Sequence, residues 1–427
     1  MKQLFPLLLT PLLLNAQIEY SGSIHPSNLY RISDGSEISL PFRLVDMKLG
    51  YTWRDFDIKT HWAIETRWSD PQFTSNLREA YLVWYPAFGE VRLGKQIIVW
   101  GATDVNNPTD NLSAYNYYYL FWQGIDRKIG SLSAAILVYW KNWQIEMIVI
   151  PEHQANQLVF DEPDFPISQS TDYFDPRKFI IDISDPLELG IRTQMTIGRS
   201  DISLSYFRGH DRFFSVLGLD YKPPGRGITQ LTWLGYRLTE IWGADVVSFW
   251  GDLTFRGETA YFKTINDYDE SWSISFESKA EYIQYVLQAE YPGPLDISLM
   301  GQFIGNTILK ANGETLDRTT EQIVSLDKDN FSPGIGTPFA MFADRSLLLT
   351  AGATFMDETL KMVASSFINL EEEGYMLGFT ADYSPVDNWH VELGINKFVG
   401  DGDPDSDNVF NLLEDFSHVF IGLKYSF

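Results

Sequence analysis

The chain has 427 residues, a net charge of −25 at pH 7 and no cysteine. So acidic a chain repels nucleic acid, which excludes nucleic acid as a partner. The absence of cysteine excludes disulfide frameworks, thiolate metal sites and a cysteine nucleophile. Aromatic residues make up 15% of the chain, and a chain this rich in aromatic side chains is not disordered.

The first 16 residues have the pattern of a secretory signal peptide. Lys2 precedes an apolar run over residues 4–14, and Ala16 supplies a small residue before the expected cleavage. The run is too short to span a bilayer, and no later stretch approaches the ~20 apolar residues of a transmembrane helix. We predict removal of residues 1–16 and one mature domain over residues 17–427. In a membrane, that domain would have to be a β-barrel.

Nine short segments rich in Gly, Pro, Asn or Asp predict tight turns between strands. They are Trp53–Asp55, Pro86–Gly89, Lys141–Asn142, Gly198–Asp201, Pro223–Gly225, Gly251–Asp252, Pro292–Pro294, Met356–Glu358 and Ser384–Asn388. The connections between them are generally longer, an alternation typical of outer-membrane barrels with tight periplasmic turns and long extracellular loops. The hairpins predict about 20 strands, or about 18 if one of the two shortest hairpins, 200–222 or 228–250, is misread. A soluble propeller would carry a repeat of about 40–50 residues, which the chain lacks.

Several predicted strands have one apolar and one charged face. In Ile58–Trp68, the apolar set alternates with Lys59, His61, Ala63, Glu65 and Arg67. A charge on the lipid face would cost ~2–4 kcal/mol at the bilayer midplane, so the charged set must point into the lumen. The predicted pore-lining residues are Lys59, His61, Glu65, Arg67, Arg92, Gln96, Arg192, Arg256 and Glu258. Opposed basic and acidic walls would order water and select polar solutes.

The most distinctive stretch is residues 91–123, the third long connection together with the strand before it. Asn107-Pro108 favours a turn, and the side chains of Asp104 and Asp110 can cap backbone N–H groups. One interpretation is a rigid loop anchored at the mouth of the strand. The functional interpretation is a constriction shaped by Asp104, Asn107 and Asp110. The aromatic block Tyr115–Trp122 is open to three interpretations: an outer girdle, a loop plug, or a stacking surface for sugars or aromatic solutes.

Within Val91–Asn111, Leu93-Gly94-Lys95-Gln96, Trp100-Gly101 and Asn107-Pro108-Thr109-Asp110 resemble a hairpin of porin-like outer-membrane barrels. These include families of unknown function and alginate-export-like barrels. The resemblance implies a porin fold, and in general porins the third loop folds inward and narrows the pore. Ala102 departs from the Glu or Ser that usually follows Trp-Gly in this family.

The long connections concentrate acidic residues. Residues 151–186 and 399–418 are strongly acidic, and Glu371–Glu373 lies at the predicted tip of another hairpin. Such loops could bridge to lipopolysaccharide through divalent ions, or form a funnel that concentrates cations at the mouth. Asp401–Asn408 imitates a calcium loop but lacks its Gly and closing Glu, so we favour a solvated acidic loop over weak calcium binding.

Enzyme signatures are absent from the sequence. It has no nucleophile elbow, no zinc-protease motif and no phosphate-binding glycine loop. The six histidines lie at positions 25, 61, 153, 210, 390 and 418, none at ligand spacing from another. We therefore predict no enzyme, no cofactor and no metal. His61 beside Glu65 is the one pair that a barrel-bound hydrolase could use, and a charge network in the lumen is the competing interpretation.

The chain ends on an alternating strand, Val419–Phe427. Its terminal aromatic residue resembles the closing strand of outer-membrane barrels, which implies recognition by the barrel-assembly machinery through Phe427. We expect this strand to pair with the strand near Ile18–Ile24 and so remove both free edges.

These patterns predict an all-β fold, a transmembrane antiparallel up-and-down barrel in the outer membrane of a Gram-negative bacterium. Outer-membrane lipid and lipopolysaccharide would surround it, and a homotrimer is one assembly open to it. The predicted function is a channel for diffusion of small polar solutes. Two alternatives stay open: an uptake channel that binds hydrophobic or aromatic compounds, and a structural or adhesive barrel of the envelope.

Overall fold

The structure is a computed structural model that describes residues 16–427, except residues 123, 169–170, 172–174, 223–228, 267, 269–271, 277, 295, 317–321, 339–342, 404–405 and 407. The predicted signal peptide, apart from Ala16, lies outside the described residues. Within the described ranges, no helix combines the length and the apolar character needed to cross a membrane.

The strands of the described residues, in chain order, are β1 (Ala16–Ile24), β2 (Ser27–Arg31), β3 (Phe42–Trp53), β4 (Phe56–Thr66), β5 (Thr74–Trp84), β6 (Gly89–Gln96), β7 (Ser131–Trp140), β8 (Trp143–Ile150), β9 (Glu188–Ile197), β10 (Ser200–His210), β11 (Ser215–Lys222), β12 (Thr229–Gly235), β13 (Leu238–Trp250), β14 (Leu253–Ile265), β15 (Ile274–Ser275), β16 (Ser278–Pro292), β17 (Ile297–Leu316), β18 (Ile323–Ser325), β19 (Arg345–Phe355), β20 (Leu360–Asn369), β21 (Tyr375–Val386), β22 (Trp389–Val399) and β23 (His418–Ser426). The helical elements are 3₁₀ turns at Tyr117–Tyr119, Gly124–Arg127 and Pro176–Lys178, and a short α-helix, α1 (Val409–Glu414).

Antiparallel pairing closes the main sheet into a barrel of 18 strands. β1 and β2 count as one crossing, because both pair with β23, and β18 only extends the end of β17. Ser426 pairs with Ser23, and the Phe427 backbone N–H donates to the Gly22 carbonyl at 2.9 Å. The predicted closure of the barrel by its terminal strand is therefore confirmed, while residues 16–21 of β1 extend past Phe427 and pair with β3 alone.

Eight of the nine predicted turns join adjacent barrel strands. Arg54, Lys141 and Asn388 take left-handed backbone conformations in them, with φ of 55°, 55° and 71°, as tight hairpins require.

Pro223–Gly225 lies outside the described residues, but the prediction that the strands on either side of it belong to the barrel is wrong, which removes the 20-strand count. The flanking strands β11 and β12 pair with each other and with β15 in a separate three-stranded sheet at the long-loop end. Leu217, Leu219 and Leu234 are buried in this small sheet. Period-two alternation marks any sheet with one buried face, so it could not separate this hairpin from a membrane-spanning one.

The barrel strands place apolar side chains outside; inside, polar residues alternate with them on most strands, and β7, β8, β10, β13, β14 and β16 also carry inward apolar residues such as Phe207 and Phe262. On β4, Trp62 and Ile64 are exposed on the outer surface, while His61 and Ala63 are buried inside. Aromatic side chains collect near the short turns, where Trp53 stacks on Phe56 with ring centres 6.3 Å apart. Trp140 and Trp250 are exposed beside other short turns. This belt is typical of the boundary between the hydrocarbon and the lipid headgroups.

Candidate functional site

The third long connection, residues 97–130, folds into the barrel; it is called here the inward loop. Trp100, Leu112 and Leu120 within it are fully buried although they lie outside any strand. Backbone polar groups inside a lumen must find partners, so the loop depends on hydrogen bonds from the barrel wall.

Glu258, on β14, is the main anchor of the inward loop and is only 3% exposed. Its carboxylate accepts hydrogen bonds from the backbone N–H groups of Ala102 and Thr103, the latter at 2.6 Å. It also accepts from Asn107 Nδ2 at 3.0 Å and from Thr109 Oγ1 at 2.9 Å. One wall residue therefore satisfies the donors of a whole turn of the loop.

A second set of wall residues fixes the start of that turn. Arg256 donates from Nη1 to the Ala102 carbonyl at 2.8 Å and from Nε to Glu290 Oε1 at 2.6 Å. Gln288 accepts from the Asp104 backbone N–H at 3.1 Å and donates to the Asp104 carboxylate at 2.5 Å. Asp104 itself remains partly exposed to the lumen.

A buried ion pair joins the end of this turn to a later part of the inward loop. Asp110 Oδ2 lies 2.9 Å from Lys128 Nζ, and both side chains are about 3% exposed. The Asp110 backbone N–H donates to the Asn107 carbonyl at 3.0 Å. The three residues predicted to shape a constriction, Asp104, Asn107 and Asp110, thus lie in one turn against β14 and β16.

A second segment, residues 326–338, also enters the barrel and is called here the second inward loop. Phe331 and Ile335 are buried against wall residues such as Tyr282. Thr337 Oγ1 donates to Asn106 Oδ1 at 2.7 Å, and Asn106 donates to Gln302 Oε1 at 2.9 Å. The two inward loops are therefore hydrogen-bonded to each other as well as to the barrel wall.

The aromatic block of the inward loop is buried at the long-loop end. Tyr117, Tyr119 and Leu120 are almost fully enclosed. The Phe121 ring lies 5.7 Å from that of Phe398 on β22. Burial raises the pKa of Tyr117 well above its usual value, so its hydroxyl stays neutral. Of the three interpretations of this block, the geometry favours the loop plug.

A cluster of buried apolar residues extends this plug at the long-loop end. Its members come from the inward loop, other long connections and the walls: Ile38, Tyr115, Tyr117, Leu120, Val159, Phe165, Val286, Ile304, Leu348, Phe367, Phe398, Phe410, Leu413 and Phe416. The inward loop therefore narrows the lumen both at Glu258 and at the long-loop end.

The two sides of the lumen differ. The packed wall is the inward face of β7–β10, β13, β14 and β16, and the loops cover it: Leu137, four residues from a short turn, is only 4% exposed. The open wall is the inward face of β20–β23, β1 and β3. There Lys48, five residues before the end of β3, and Thr380, six before the end of β21, are exposed. Water therefore reaches further along the open wall.

Charged groups line the open wall. Lys48, Lys361 and Lys424 share its inward face by strand register. Histidine–carboxylate pairs lie between and beside them: His390 with Asp382 at 2.9 Å, His25 with Glu392 at 3.2 Å, and His61 of the adjacent β4 with Asp46 at 2.8 Å. This wall carries fixed charge of both signs beside water.

The structure corrects one predicted pairing. His61 contacts Asp46, and its Nδ1 lies 3.7 Å from Glu79 Oε2, whereas Glu65 pairs with Arg43 at 3.3 Å. Register explains the difference, because residues on neighbouring strands lie closer than residues four apart on one strand. The pairs form a charge network with no nucleophile partner for His61 among them.

The other predicted pore-lining residues also point inward but have different surroundings. Arg192 forms an ion pair with Asp245 at 3.0 Å. Gln96 is buried, and its side-chain amide donates a hydrogen bond to the Ser133 carbonyl. Arg92 pairs with Glu90, while Lys59 is about half exposed. Arg67 lies beyond β4 and binds Glu162 of the 151–187 connection at 2.5 Å. Their roles in conduction remain predictions.

Sequence reasoning missed a buried cluster between the packed wall and the long connections. Glu188 is fully buried and accepts two hydrogen bonds from Arg212, at 2.9 and 2.8 Å. His153 Nδ1 lies 2.9 Å from the same carboxylate, and burial lowers the pKa of His153. The partners are 35 and 24 residues from Glu188 in the chain, so no local motif could reveal them.

His153, Glu188 and His210 offer three ligand atoms within 4.8 Å of one another. However, Arg212 already donates to both oxygens of Glu188. A divalent cation would have to displace this buried guanidinium, so we interpret the cluster as an ion-paired floor beneath the loops.

Several loop acids are already paired. Asp164 binds Arg31 at 2.7 Å, in addition to the Glu162–Arg67 pair. Three positions of the calcium-like segment Asp401–Asn408 lie outside the described residues. Asp401 accepts from Asn411 Nδ2 and the Asp403 N–H, each at 2.8 Å, and these bonds hold the pKa of Asp401 at about 2. Its carboxylate is satisfied by protein donors.

A cavity of about 410 Å³ lies above this floor. Its lining comes from the inward loop, the 151–187 connection and the 211–237 connection: Tyr118, Asn156, Gln157, Leu158, Phe160, Arg177, Ile180, Arg212, Phe214 and Tyr236. This long-loop cavity includes one residue of the aromatic block, Tyr118.

Comparison with solved structures supports the fold. Pseudomonas aeruginosa OccK2 (OpdF) matches with a TM-score of 0.53 and 10% identity, over 96% of this chain and 97% of that chain. P. aeruginosa OccK5 (OpdH) matches with a TM-score of 0.51 and 9% identity, over 96% and 98% of the two chains. A loop-deletion variant of OmpT, an outer membrane protein of Vibrio cholerae, matches with a TM-score of 0.42 and 10% identity, over 97% and 100%. The two OccK matches, with TM-scores above 0.5, show the fold to be the closed 18-stranded barrel of outer-membrane porins.

No protein-family profile matches the chain, and no curated protein does. The alginate-export resemblance of Val91–Asn111 therefore remains a prediction.

Proposed function

We propose that this protein is an outer-membrane channel for small polar solutes, with its passage along the open wall. The observation that carries the proposal is the asymmetry of the lumen. Two loops fill one side, while charged side chains such as Lys48 and Asp382 stay accessible to water on the other. Mixed fixed charge along a narrowed aqueous path favours polar solutes over apolar ones.

Under this proposal, Glu258 and Arg256 hold the loop that narrows the passage rather than contact the solute. Lys59, Arg92 and the His–carboxylate pairs would set the field that a solute meets. The signal peptide would direct export, and Phe427 would direct insertion. Association into a homotrimer stays a prediction.

Planar-bilayer recording tests the proposal. Folded protein should give discrete, stable conductance steps, and liposomes that contain it should swell in small neutral and charged solutes. A folded barrel, shown by its heat-modifiable mobility on electrophoresis, that gives no conductance and no swelling would contradict the channel function. In that case the structural or adhesive alternative would gain support.

One observation favours a second candidate function, uptake of aromatic compounds. The long-loop cavity is lined by four aromatic side chains, and one of them, Tyr118, belongs to the predicted aromatic block. The OccK2 structure has also been solved in complex with glucuronate, a sugar acid. Aromatic compound, sugar acid and neutral sugar are therefore the ligand classes to be separated.

A further inference from the structure

The long-loop cavity leaves aromatic surface half-exposed on three separate connections. Tyr118, Phe160, Phe214 and Tyr236 line it, and none of them is fully buried. Exposed aromatic surface that converges on one concavity is a recurrent feature of binding sites, because closing over a ligand would bury it. A volume of about 410 Å³ lies within the usual range of small-molecule pockets.

The charges around the cavity are neutralised within the protein. Arg177 binds Asp175 through two hydrogen bonds of 2.7 and 3.1 Å and lies over the Phe160 ring. Arg212 binds both oxygens of Glu188 and donates to the Asn111 carbonyl at 2.9 Å. An anionic ligand would have to compete with carboxylates already in place, so the cavity favours a neutral ligand.

Polar groups on a rigid backbone face the same space. Gln157 is held through its backbone by Tyr115 and Tyr117, at 2.9 and 3.0 Å, which leaves its amide side chain exposed. The Asn156 backbone N–H donates to the Arg212 carbonyl at 3.0 Å, and the Asn156 side-chain Oδ1 accepts from the Tyr115 N–H at 2.8 Å, so Nδ2 is the atom it can offer to a ligand. Burial raises the pKa of Tyr236 to about 12, so its hydroxyl remains a neutral donor and acceptor. Neutral donors and acceptors beside aromatic faces suit a ligand with hydroxyl groups and an apolar ring face.

We propose that the long-loop cavity binds a neutral mono- or disaccharide, stacked on Phe214 and Tyr236 and hydrogen-bonded by Asn156 and Gln157. The proposal rests on the channel function and narrows its solute class. A pyranose ring combines an axial C–H face, which packs on aromatic rings, with hydroxyl groups that bond to amides. A flat aromatic compound would make no use of Asn156 Nδ2 and the Gln157 amide, and a sugar acid would place its carboxylate near Asp175 and Glu188.

The test compares three probes: maltose, glucuronate and indole. Calorimetry on the detergent-folded full chain measures their binding without any need for conductance. Maltose should bind and should also interrupt single-channel current when added on the long-loop side. If glucuronate binds more strongly than maltose, the proposal of a neutral ligand is wrong. If indole binds more strongly than maltose, the ligand is an aromatic solute and not a sugar.

Two variants test whether maltose binds in this cavity. Phe214→Leu removes a ring face but keeps an apolar side chain, and it should weaken maltose binding by roughly two- to tenfold. Gln157→Leu should weaken it by a similar factor. Phe355→Leu changes an exposed ring on the barrel exterior and should leave binding unchanged. Equal maltose binding by Phe214→Leu and the parent protein, with both folded, would overturn the site.

The channel and the site can fail independently. Conductance without maltose binding refutes the sugar site and leaves the channel intact. Maltose binding that is sensitive to Phe214→Leu, in a barrel that does not conduct, supports the site and refutes the channel.

Discussion

The packed wall and the open wall are both built from antiparallel barrel strands but differ in what their inward faces contact. Both place apolar residues outward and end in tight turns at one side. The packed wall also carries inward apolar residues such as Phe207 and Phe262, on which the inward loops pack. On the packed wall, Glu258 is enclosed by an inward loop that it holds. On the open wall, Glu392 keeps about a quarter of its side chain exposed. The loops cover the wall that carries inward apolar residues such as Phe207, and this cover decides which inward polar residue is structural and which faces water.

This contrast separates two kinds of pore residue. A carboxylate on the packed wall replaces water as the partner of buried donors, so removing it leaves those donors unsatisfied. A charge on the open wall still has water beside it, and its removal changes the field more than the stability. Substitutions on the two walls should therefore affect different measurements.

The largest effect is expected from Glu258→Ala. The change strands the N–H groups of Ala102 and Thr103 and the side chains of Asn107 and Thr109, which should lower the free energy of unfolding by about 3–5 kcal/mol. The released loop should also raise the conductance and its noise. Chemical unfolding and single-channel recording measure the two effects.

Glu392→Ala on the open wall is the matched control for Glu258→Ala. It removes a partly exposed carboxylate paired with His25 and should cost about 1 kcal/mol or less. Equal destabilisation by the two variants would show that the walls do not differ in the way described.

Reversing the lysines of the open wall should change selectivity without unfolding the barrel. The triple variant Lys48→Glu, Lys361→Glu and Lys424→Glu turns three inward positive charges negative, so the ratio of cation to anion permeability should rise several-fold. Reversal potentials in a salt gradient report this ratio. Lys328→Glu is the control: it reverses one positive charge on the second inward loop, away from the open wall. If Lys328→Glu changes the permeability ratio as much per reversed charge as the triple variant does, the solute path lies elsewhere.

The smallest expected effect is a pH dependence of the loops above the packed wall. Burial lowers the pKa of His153 below its usual 6.5, so the folded state holds fewer protons there than the unfolded state between the two pKa values. The contribution of His153 to stability is thus complete above pH 6.5 and falls as the pH drops below it. The hydrogen-exchange protection of the Gln157 backbone N–H, corrected for intrinsic rates, should therefore decrease as the pH falls below 6.5.

His153→Gln should flatten this pH profile, because glutamine does not titrate. A profile that stays equally steep in His153→Gln would assign the dependence to another group.

The parts of the fold that repeat were predictable from the sequence. Turn chemistry at Lys141 and Asn388, alternation on β4 and the terminal aromatic strand each follow from local rules, and the structure agrees with them. The inward position of Glu258 also follows from alternation, since a charge on the lipid face is costly. Its role as the anchor of the inward loop does not, because its partners lie about 150 residues away in the chain.

Long-range pairing explains the remaining misses. The β11–β12 hairpin has the alternation of a barrel strand pair, and only its third partner, β15, shows that it belongs to another sheet. The Glu188–Arg212 pair and the enclosure of Asp110 with Lys128 depend on which loops enter the barrel. The one local sign of that choice is the presence of inward apolar residues, such as Phe207 and Phe262, on the strands that the loops cover.

The seam between the first and last strands has a consequence for how the protein folds. Ser23 and Ser426 pair across almost the whole chain, and Pro26, which lacks an N–H, accepts from Leu423 at 3.0 Å where the first strand breaks. Closing so long a loop is entropically costly and slow, so the seam should form last, after the hairpins. Until then both edge strands can pair with other chains, and a chain truncated before His418, which lacks the whole of β23, would keep that aggregation-prone edge permanently.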